Sequence, residues 1–214
     1  MNILLENLRY LKAKGLNSNL LDQLLAAPEI SATRLIAFAE EQNLSLDQLA
    51  FQSLQGERFK AKMLVMDCDG VLTKGEMIVS TDGEHTKIFN VKDGMGIKKA
   101  QAAGLITAIL SHGHSTGVVE ARAQQLAIPK VYVGKEAKLE VLRRWAEDEQ
   151  IALSDIAYIG DDINDLPVLE AVGKGFCPAD AVDEVRRNPK VMCLRNKGGE
   201  ACIRELVDEH LHLI

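Results

Sequence analysis

The feature that most constrains the fold is a series of short apolar segments in the second part of the chain. Met63–Val65, Ile106–Leu110 and Ile156–Ile159 lack the alternation of a half-exposed strand, as expected for central strands of a parallel sheet. Two further strands are predicted at Lys130–Val133 and around Lys174–Cys177. Because helical patterns separate these strands, the sequence predicts an α/β fold: a Rossmann-like parallel sheet between two helical layers.

One interruption of this pattern predicts a β-hairpin. Short apolar stretches flank Asp82-Gly83, a dipeptide typical of two-residue hairpin turns. We therefore expect residues 76–91 to form a flap that projects from the sheet. Only the flap and one helix fit between Asp67 and Ser111, so the sequence leaves no room for a large cap domain.

The first 62 residues have a different character. Leucines at helical spacing, separated by Gly, Pro and Asn, predict four short helices within residues 1–54 and a polar linker at 55–62. We expect a helical module at 1–62 and an α/β domain at 63–214. Residues 31–49 resemble the last helices of repressor-type helix-turn-helix domains. The module is electrically neutral, which favours a structural appendage over a DNA-binding one.

Charge and composition exclude several classes of protein. The whole net charge of −6 lies in residues 63–214, with 18 basic and 24 acidic side chains, so nucleic acid is not an expected partner. No apolar run reaches 18 residues and the N-terminal sequence does not resemble a secretory signal, which predicts a cytoplasmic protein without a membrane partner. The four cysteines form no CxxC pair and are expected to be reduced thiols.

Two acidic segments follow the first and third apolar segments. They read DCDGVLT, with Asp67 and Asp69, and GDDIND, with Asp161, Asp162 and Asp165. Each alone is more typical of a turn or a helix cap, but both lie where parallel strands end at one edge of the sheet. Their carboxylates would repel one another without a cation, and an all-oxygen ligand set suits Mg²⁺.

These segments resemble the motifs of haloacid dehalogenase-like phosphatases. DCDGVLT is similar to the first motif and YIGDDINDLP to the fourth, while Ser111 and Lys138 stand at the positions of the second and third. The resemblance covers about residues 63–210. The segments EMIVSTDGEHTKIFNVKDGMGIK, VYVGKEAKLEVL and NKGGEACIRELVDE further resemble the 3-deoxy-D-manno-octulosonate 8-phosphate phosphatase group. Phosphatases of nine-carbon sialic-type sugar phosphates share these features.

The resemblance implies a role for each motif residue. Asp67 would attack phosphorus, and Asp69 would protonate the leaving group and later deprotonate water. Mg²⁺ would be held by Asp67, the backbone carbonyl of Asp69 and Asp161, while Asp162 and Asp165 would orient water and the lysine.

Phosphate and sugar contacts follow from the same resemblance. Ser111 and Lys138 would bind phosphate oxygens, although taken alone each is more typical of a helix cap or a solvated helix residue. The other candidates for substrate binding are His112, His114, Asp93, Gly94 and Arg204.

One loop departs from the group's pattern. The group reads TGR where this chain reads Ser111-His112-Gly113-His114, so an arginine suited to a sugar carboxylate is absent. His114 could replace it, and a solvated loop histidine is the alternative. The HxH pairs at 112/114 and 210/212 lack the additional ligands of a zinc site.

The predicted function is a Mg²⁺-dependent phosphomonoesterase acting on a phosphorylated sugar acid such as 3-deoxy-D-manno-octulosonate 8-phosphate. The alternatives are an N-acylneuraminate or KDN 9-phosphate-type phosphatase, a phosphomutase or phosphotransferase, and a non-catalytic regulatory protein on the same scaffold. The resemblance also implies a homotetramer, with residues 76–91 and 196–205 at the interfaces.

Overall fold

The computed structural model describes residues 3–13, 15, 16, 18–51, 59–79, 81, 85–113 and 116–213. The chain divides into two compact units, Met1–Glu57 and Arg58–Ile214. The assignment of independent domains to 1–62 and 63–214 stays a prediction, because compactness alone does not show that either unit folds by itself. In the described part of the chain, no helix combines the length and apolar character that crossing a membrane requires.

The described part of the first unit contains four helices around a small apolar core. The helices are α1 (Ile3–Ala13), α2 (Asn19–Ala26), α3 (Ala32–Glu41) and α4 (Leu46–Phe51). The core contains Leu8, Leu21, Leu24, Phe38 and Leu49, each at most 1% exposed. A capping box starts α4, because Ser45 Oγ accepts from the Gln48 N–H and Gln48 Oε1 accepts from the Ser45 N–H. The predicted continuation over residues 52–54 lies outside the described residues.

The second unit is built on a six-stranded parallel sheet, which confirms the predicted fold class. Its strands are β1 (Met63–Met66), β4 (Ile106–His112), β5 (Lys130–Gly134), β6 (Ile156–Ile159), β7 (Lys174–Cys177) and β8 (Val191–Cys193). They lie in the order β5-β4-β1-β6-β7-β8. The sequence did not predict β8, since its three residues give too short a pattern.

Helices cover both faces of this sheet. They are α5 (Val91–Ala102), α6 (Thr116–Leu126), α7 (Lys138–Asp148), α8 (Leu166–Ala171), α9 (Asp183–Arg186) and α10 (Cys202–Glu205). Alternate residues of β1 enter different cores: Leu64 and Met66 pack with α5, α6 and α10, whereas Met63 and Val65 pack with α7, α8 and α9. All four are fully buried, which explains why β1 is apolar without alternation.

The register of β1 aligns the strand ends that matter for the site. Met66 lies opposite Ile109 of β4 and opposite Ile159 of β6. Because all three strands run in parallel, the residues that follow them leave the sheet at the same edge.

The predicted hairpin is present as two short antiparallel strands, β2 (Ile78–Val79) and β3 (His85–Thr86). The predicted turn at Asp82-Gly83 lies outside the described residues. Asn90 then caps α5, since its side chain accepts from the Lys92 N–H at 2.9 Å. No other described strand or helix lies between the hairpin and β4, in agreement with the predicted absence of a large cap.

Candidate active site

Carboxylates from two loops meet at the carboxyl edge of the sheet. Asp67 follows β1 directly, whereas Asp161 and Asp165 belong to the loop after β6. One ligand oxygen from each of the three lies within 4.8 Å of the other two. The chain positions Asp67 and Asp161 by backbone bonds at the strand ends, since the Asp67 N–H donates to Ile159 and the Gly160 N–H donates to Phe176.

A buried lysine lies between two of these carboxylates. Lys138 begins α7 and is 3% exposed. Its Nζ donates to Asp165 Oδ1 at 2.6 Å and lies 3.0 Å from Asp67 Oδ1 without hydrogen-bond geometry, so the second contact is ionic. Burial lowers the pKa of Lys138, but the two carboxylates outweigh it and the net pKa is raised, which keeps the ammonium charged.

Asp165 organises the loop after β6. It is fully buried, and its Oδ2 accepts the backbone N–H groups of Asp161 and Asp162 at 3.0 and 3.2 Å. Its Oδ1 accepts from Lys138 and from the Tyr158 hydroxyl, the latter at 2.5 Å. Tyr158 was not predicted as a site residue; the only sequence signal is a hydroxyl within the otherwise apolar IAYI strand. Asp165 therefore fixes the position of Asp161 through the backbone.

Two buried carboxylate oxygens fit a divalent cation. Among the described residues, Asp67 Oδ1 and Asp161 Oδ1 are buried side-chain atoms without a hydrogen-bond partner. Burial, followed by the charge of Asp165, raises the pKa of Asp67 to about 7, although Lys138 opposes the shift. Burial, followed by the charge of Asp67, raises the pKa of Asp161 to about 8. Carboxylate oxygens that lie close together and accept no hydrogen bond are the kind of donor set that Mg²⁺ takes in proteins.

These pKa shifts predict how Mg²⁺ stabilises the protein. Without metal, the folded state binds more protons than the unfolded state between about pH 4 and pH 8, because the pKa values of Asp67 and Asp161 rise from 3.8 to about 7 and about 8. The free energy of unfolding should therefore fall as pH rises through this window. Since Mg²⁺ binds the deprotonated carboxylates, saturating Mg²⁺ should raise Tm more at pH 8 than at pH 5.

The measurement is thermal unfolding with and without Mg²⁺ at both pH values. Asp161→Asn is the matched variant, and it should lose most of the Mg²⁺-dependent increase in Tm at pH 8. An equal increase at both pH values would contradict the assignment of these carboxylates to the metal.

Gly70 allows the two acidic loops to approach each other. Its φ is +80°, and a Cβ at this position would lie 2.0 Å from Asp161 Oδ2. Gly104 has a similar φ of +87° but has no atom within 4 Å of the position of a Cβ. Both glycines have a strained backbone conformation for other residues, but only Gly70 lies close to another side chain. Comparing alanine variants at the two positions therefore separates the cost of strain from the cost of the close approach.

We expect Gly70→Ala to destabilise the protein more than Gly104→Ala. Strain alone should cost about 1 kcal/mol in Gly104→Ala, and the clash should bring the cost to about 3 kcal/mol in Gly70→Ala. Denaturant unfolding of both variants measures the difference. Gly70→Ala should also bind Mg²⁺ more weakly, and equal stability and Mg²⁺ binding in the two variants would refute the close approach.

The Asp69 side chain lies apart from the three-carboxylate cluster. Its Oδ1 forms an ion pair with Lys87, which follows β3 and was not among the predicted site residues. Thr73 Oγ1 lies 3.4 Å from the same oxygen. The predicted metal contact of Asp69 uses its backbone carbonyl and stays a prediction.

Four further predicted site residues stand near or beyond the ends of β4 and β6 in the sequence. Ser111 is 2% exposed near the end of β4, and the next residue, His112, is exposed. His114 lies outside the described residues. Asp162 is exposed and accepts the N–H of Ile163 at 2.7 Å, so it caps the short helical turn that leads to Asp165.

The contacts of three further candidates are to residues outside the carboxylate cluster. Asp93 is 2% exposed, and it accepts the N–H groups of Arg204 and Ala201 at 3.0 and 3.2 Å. Arg204 Nε donates to Asp208 at 2.5 Å. A Cβ at Gly94 would meet the Arg122 guanidinium at 2.8 Å. The contacts of Asp93 connect α5 to the start of α10, and roles in substrate binding for these residues stay predictions.

The C-terminal loop packs on the loop that carries Asp67 and Asp69. The Gly199 N–H donates to Val71 O at 2.8 Å, and the Gly199 carbonyl accepts from Asn90 Nδ2 at 3.0 Å. Lys74 and Glu200 form an exposed ion pair at 2.6 Å. The tail thus supports the first acidic loop within one chain, a contact that the sequence pattern did not indicate.

Comparisons with known proteins agree with this geometry. The sequence profile of the haloacid dehalogenase-like hydrolase family matches residues 81–201. The 3-deoxy-D-manno-octulosonate 8-phosphate phosphatase KdsC of Escherichia coli K12 is 36% identical over 147 residues, which are 69% of this chain and 77% of that protein. The solved phosphatase of the same name from Yersinia pestis is 34% identical, with a TM-score of 0.67 over 70% of this chain and 80% of that one.

A third relative was solved with ligands. The 3-deoxy-D-manno-octulosonate 8-phosphate phosphatase of Moraxella catarrhalis, in complex with magnesium, phosphate and KDO, is 31% identical. Its TM-score is 0.68 over 73% of this chain and 89% of that chain. With both sequence and fold matched over most of the second unit, the chain belongs to the haloacid dehalogenase-like hydrolase family.

Proposed function

We propose that the protein is a Mg²⁺-dependent phosphomonoesterase in which Asp67 is the nucleophile. The observation that carries the proposal is the buried Asp67 Oδ1 at the end of β1, which accepts no hydrogen bond, lies beside Asp161 and forms an ion pair with Lys138 Nζ at 3.0 Å. A carboxylate held in this way can attack an electrophile, and the nearby Lys138 ammonium suits a phosphoryl group. Asp67, Asp161 and the carbonyl of Asp69 would hold Mg²⁺, which screens the nucleophile from the phosphate when bound.

The reaction takes place in two steps. An Asp67 carboxylate oxygen bonds to phosphorus while the ester P–O bond breaks, and Asp69 donates a proton to the departing alkoxide oxygen. Asp69 then accepts a proton from water as the water oxygen attacks the aspartyl-phosphate. This attack breaks the Asp67–phosphorus bond and releases inorganic phosphate with the Asp67 carboxylate regenerated.

Side chains around Asp67 would bind the phosphoryl oxygens. The Lys138 ammonium is held charged by two carboxylates, and Ser111 presents a hydroxyl at the end of the neighbouring strand β4. Asp165 orients Lys138 from the opposite side, through the 2.6 Å contact, and so acts without touching the substrate.

The proposed substrate is a phosphorylated sugar acid, with 3-deoxy-D-manno-octulosonate 8-phosphate as the first candidate. The names of the relatives support this choice. A nine-carbon sialic-type 9-phosphate is the alternative, because phosphatases of such sugars share the same sequence features. The altered loop at 111–114, which lacks the arginine of the group's pattern, is the reason to test both substrates. A cytoplasmic location is part of the same proposal.

A homotetramer is proposed as the active form. Exposed apolar side chains lie in and around the hairpin and at the start of α5. Contact with another subunit would remove them from water. They are Met77, Ile78, Ile88, Val91 and Met95, each at least 53% exposed. Sedimentation velocity combined with activity assays tests the assembly, and a fully active monomer would contradict it.

The function is tested by Mg²⁺-dependent phosphate release from a panel of sugar phosphates. The panel contains octulosonate 8-phosphate, sialic-type 9-phosphates and simple hexose phosphates. Selective release from one sugar acid phosphate is expected and would identify the substrate. No release from any member would contradict the proposed function and favour a non-catalytic role.

A further inference from the structure

Lys87 follows the hairpin and has a buried side chain. It is not among the residues to which the proposed reaction assigns a role. Its side chain is only 6% exposed, and its Nζ forms an ion pair with Asp69 Oδ1. Lysine is almost never buried without a partner, because removing its charge from water is costly. In the described residues, Asp69 is the anion that compensates this burial.

Lys87 reaches the acidic loop from the hairpin. Thr86 and Ile88 line a cavity of about 290 Å³ between the hairpin and the loop after β1, together with Glu76 and Gly199. Lys87 stands between these two cavity-lining residues in the chain, and its ammonium contacts Asp69 of the acidic loop.

The two oxygens of Asp69 have different surroundings. Lys87 contacts Oδ1, and Thr73 Oγ1 lies 3.4 Å from the same atom. None of the described residues donates to Oδ2, and the Asp69 side chain is 42% exposed. One oxygen of this partly exposed side chain is thus anchored, and the other is left without a donor among the described residues.

We propose that Lys87 is a positioning residue, which anchors Asp69 Oδ1 so that Oδ2 carries the proton to the leaving group. The inference rests on the proposed function, in which Asp69 is the general acid. Asp69 Oδ2 takes up this proton from solvent before the reaction and passes it to the ester oxygen as the P–O bond breaks. Asp69 is then again the carboxylate that pairs with Lys87, and Lys87 itself gains or loses no proton. The ion pair also couples the flap to catalysis, because a displaced hairpin would remove the anchor.

The test compares two esters that differ in their need for a proton. An alkoxide leaving group, as in octulosonate 8-phosphate, requires protonation, whereas p-nitrophenolate leaves as a stable anion. We expect Lys87→Met to lower kcat/KM for octulosonate 8-phosphate by about 30- to 100-fold and for p-nitrophenyl phosphate by less than about 3-fold. Because kcat/KM covers only the steps through departure of the leaving group, the later hydrolysis of the intermediate does not affect it.

Two further variants complete the comparison. Lys87→Arg keeps the positive charge within reach of Asp69 and should restore most of the lost activity toward the sugar ester. Lys62 is the matched control, since it forms a 2.7 Å ion pair with Asp155 at the opposite edge of the sheet. Lys62→Met should leave both activities unchanged.

The outcomes separate this inference from the proposed function. Equal losses with both esters would show that Lys87 has a purely structural role or a role in phosphate binding. No loss with either ester would show that Lys87 has no role in the reaction. Either result would overturn the inference. If another sugar phosphate of the panel is the better substrate, it takes the place of octulosonate 8-phosphate in this comparison. If the unsubstituted protein hydrolyses neither p-nitrophenyl phosphate nor any sugar phosphate of the panel, the proposed function fails and the inference fails with it.

Discussion

Asp67→Asn should lower phosphate release by at least about 10⁴-fold, because a carboxamide cannot form the aspartyl-phosphate. The side chains have nearly the same shape, so the loss would be chemical and not steric. The measurement is phosphate release at saturating Mg²⁺ with the best substrate of the panel. Asp155→Asn is the matched control, since Asp155 lies at the opposite edge of the sheet and pairs with Lys62.

The same variant has an opposite expected effect on stability. Burial raises the pKa of Asp67 to about 7, so its ionised form destabilises the metal-free protein at pH 8. The asparagine carries no charge, and Lys138 keeps its 2.6 Å contact with Asp165. Without Mg²⁺ at pH 8, Asp67→Asn should therefore be at least as stable as the unsubstituted protein. An inactive variant that is also unfolded would not support the role of Asp67, whereas a folded variant with substantial turnover would refute it.

Lys138→Met should have the second largest effect, on both stability and activity. Removing the ammonium leaves Asp165 and Asp67 buried without their common cation, and breaking a buried ion pair in this way costs about 3–5 kcal/mol. Phosphate release should fall by about 10²- to 10³-fold, since a positive charge near the transferred oxygens is lost. Denaturant unfolding and steady-state kinetics measure the two effects separately.

A second lysine serves as the control for Lys138. Lys130 lies at the start of β5, is 16% exposed, and pairs with Glu149 at 2.8 Å. Its replacement by methionine removes a partly exposed ion pair away from the acidic loops, so it should cost about 1 kcal/mol or less and preserve turnover. Similar losses in the two variants would show that Lys138 is an ordinary structural lysine.

The sequence alone predicted the fold class and the convergence of the acidic loops. Apolar strands such as Met63–Val65 are local patterns that follow from burial on both faces, so they can be recognised without a structure. Once the strands are known to be parallel, Asp67 and Asp161 must lie at the same edge. The resemblance to known motifs then added Ser111 and Lys138, which their own sequence positions did not distinguish from ordinary surface residues.

Other parts of the candidate site depended on the tertiary structure. The pairing of Lys87 with Asp69 joins residues 18 positions apart, and the contact of Gly199 with Val71 brings the tail onto the first acidic loop. Such contacts depend on the direction in which side chains and loops leave the sheet. Neither a local pattern nor a motif specifies that direction.

The sequence by itself determined which residues stand at the ends of buried strands, because strand burial is encoded in consecutive residues. Only the tertiary structure decided how the charges of the acidic loops are compensated. Lys138 compensates Asp165, to which Tyr158 adds a hydrogen bond, and Lys87 compensates Asp69. The physical reason is that the electrostatic free energy of a buried charge depends on distances of a few ångströms between segments far apart in the chain.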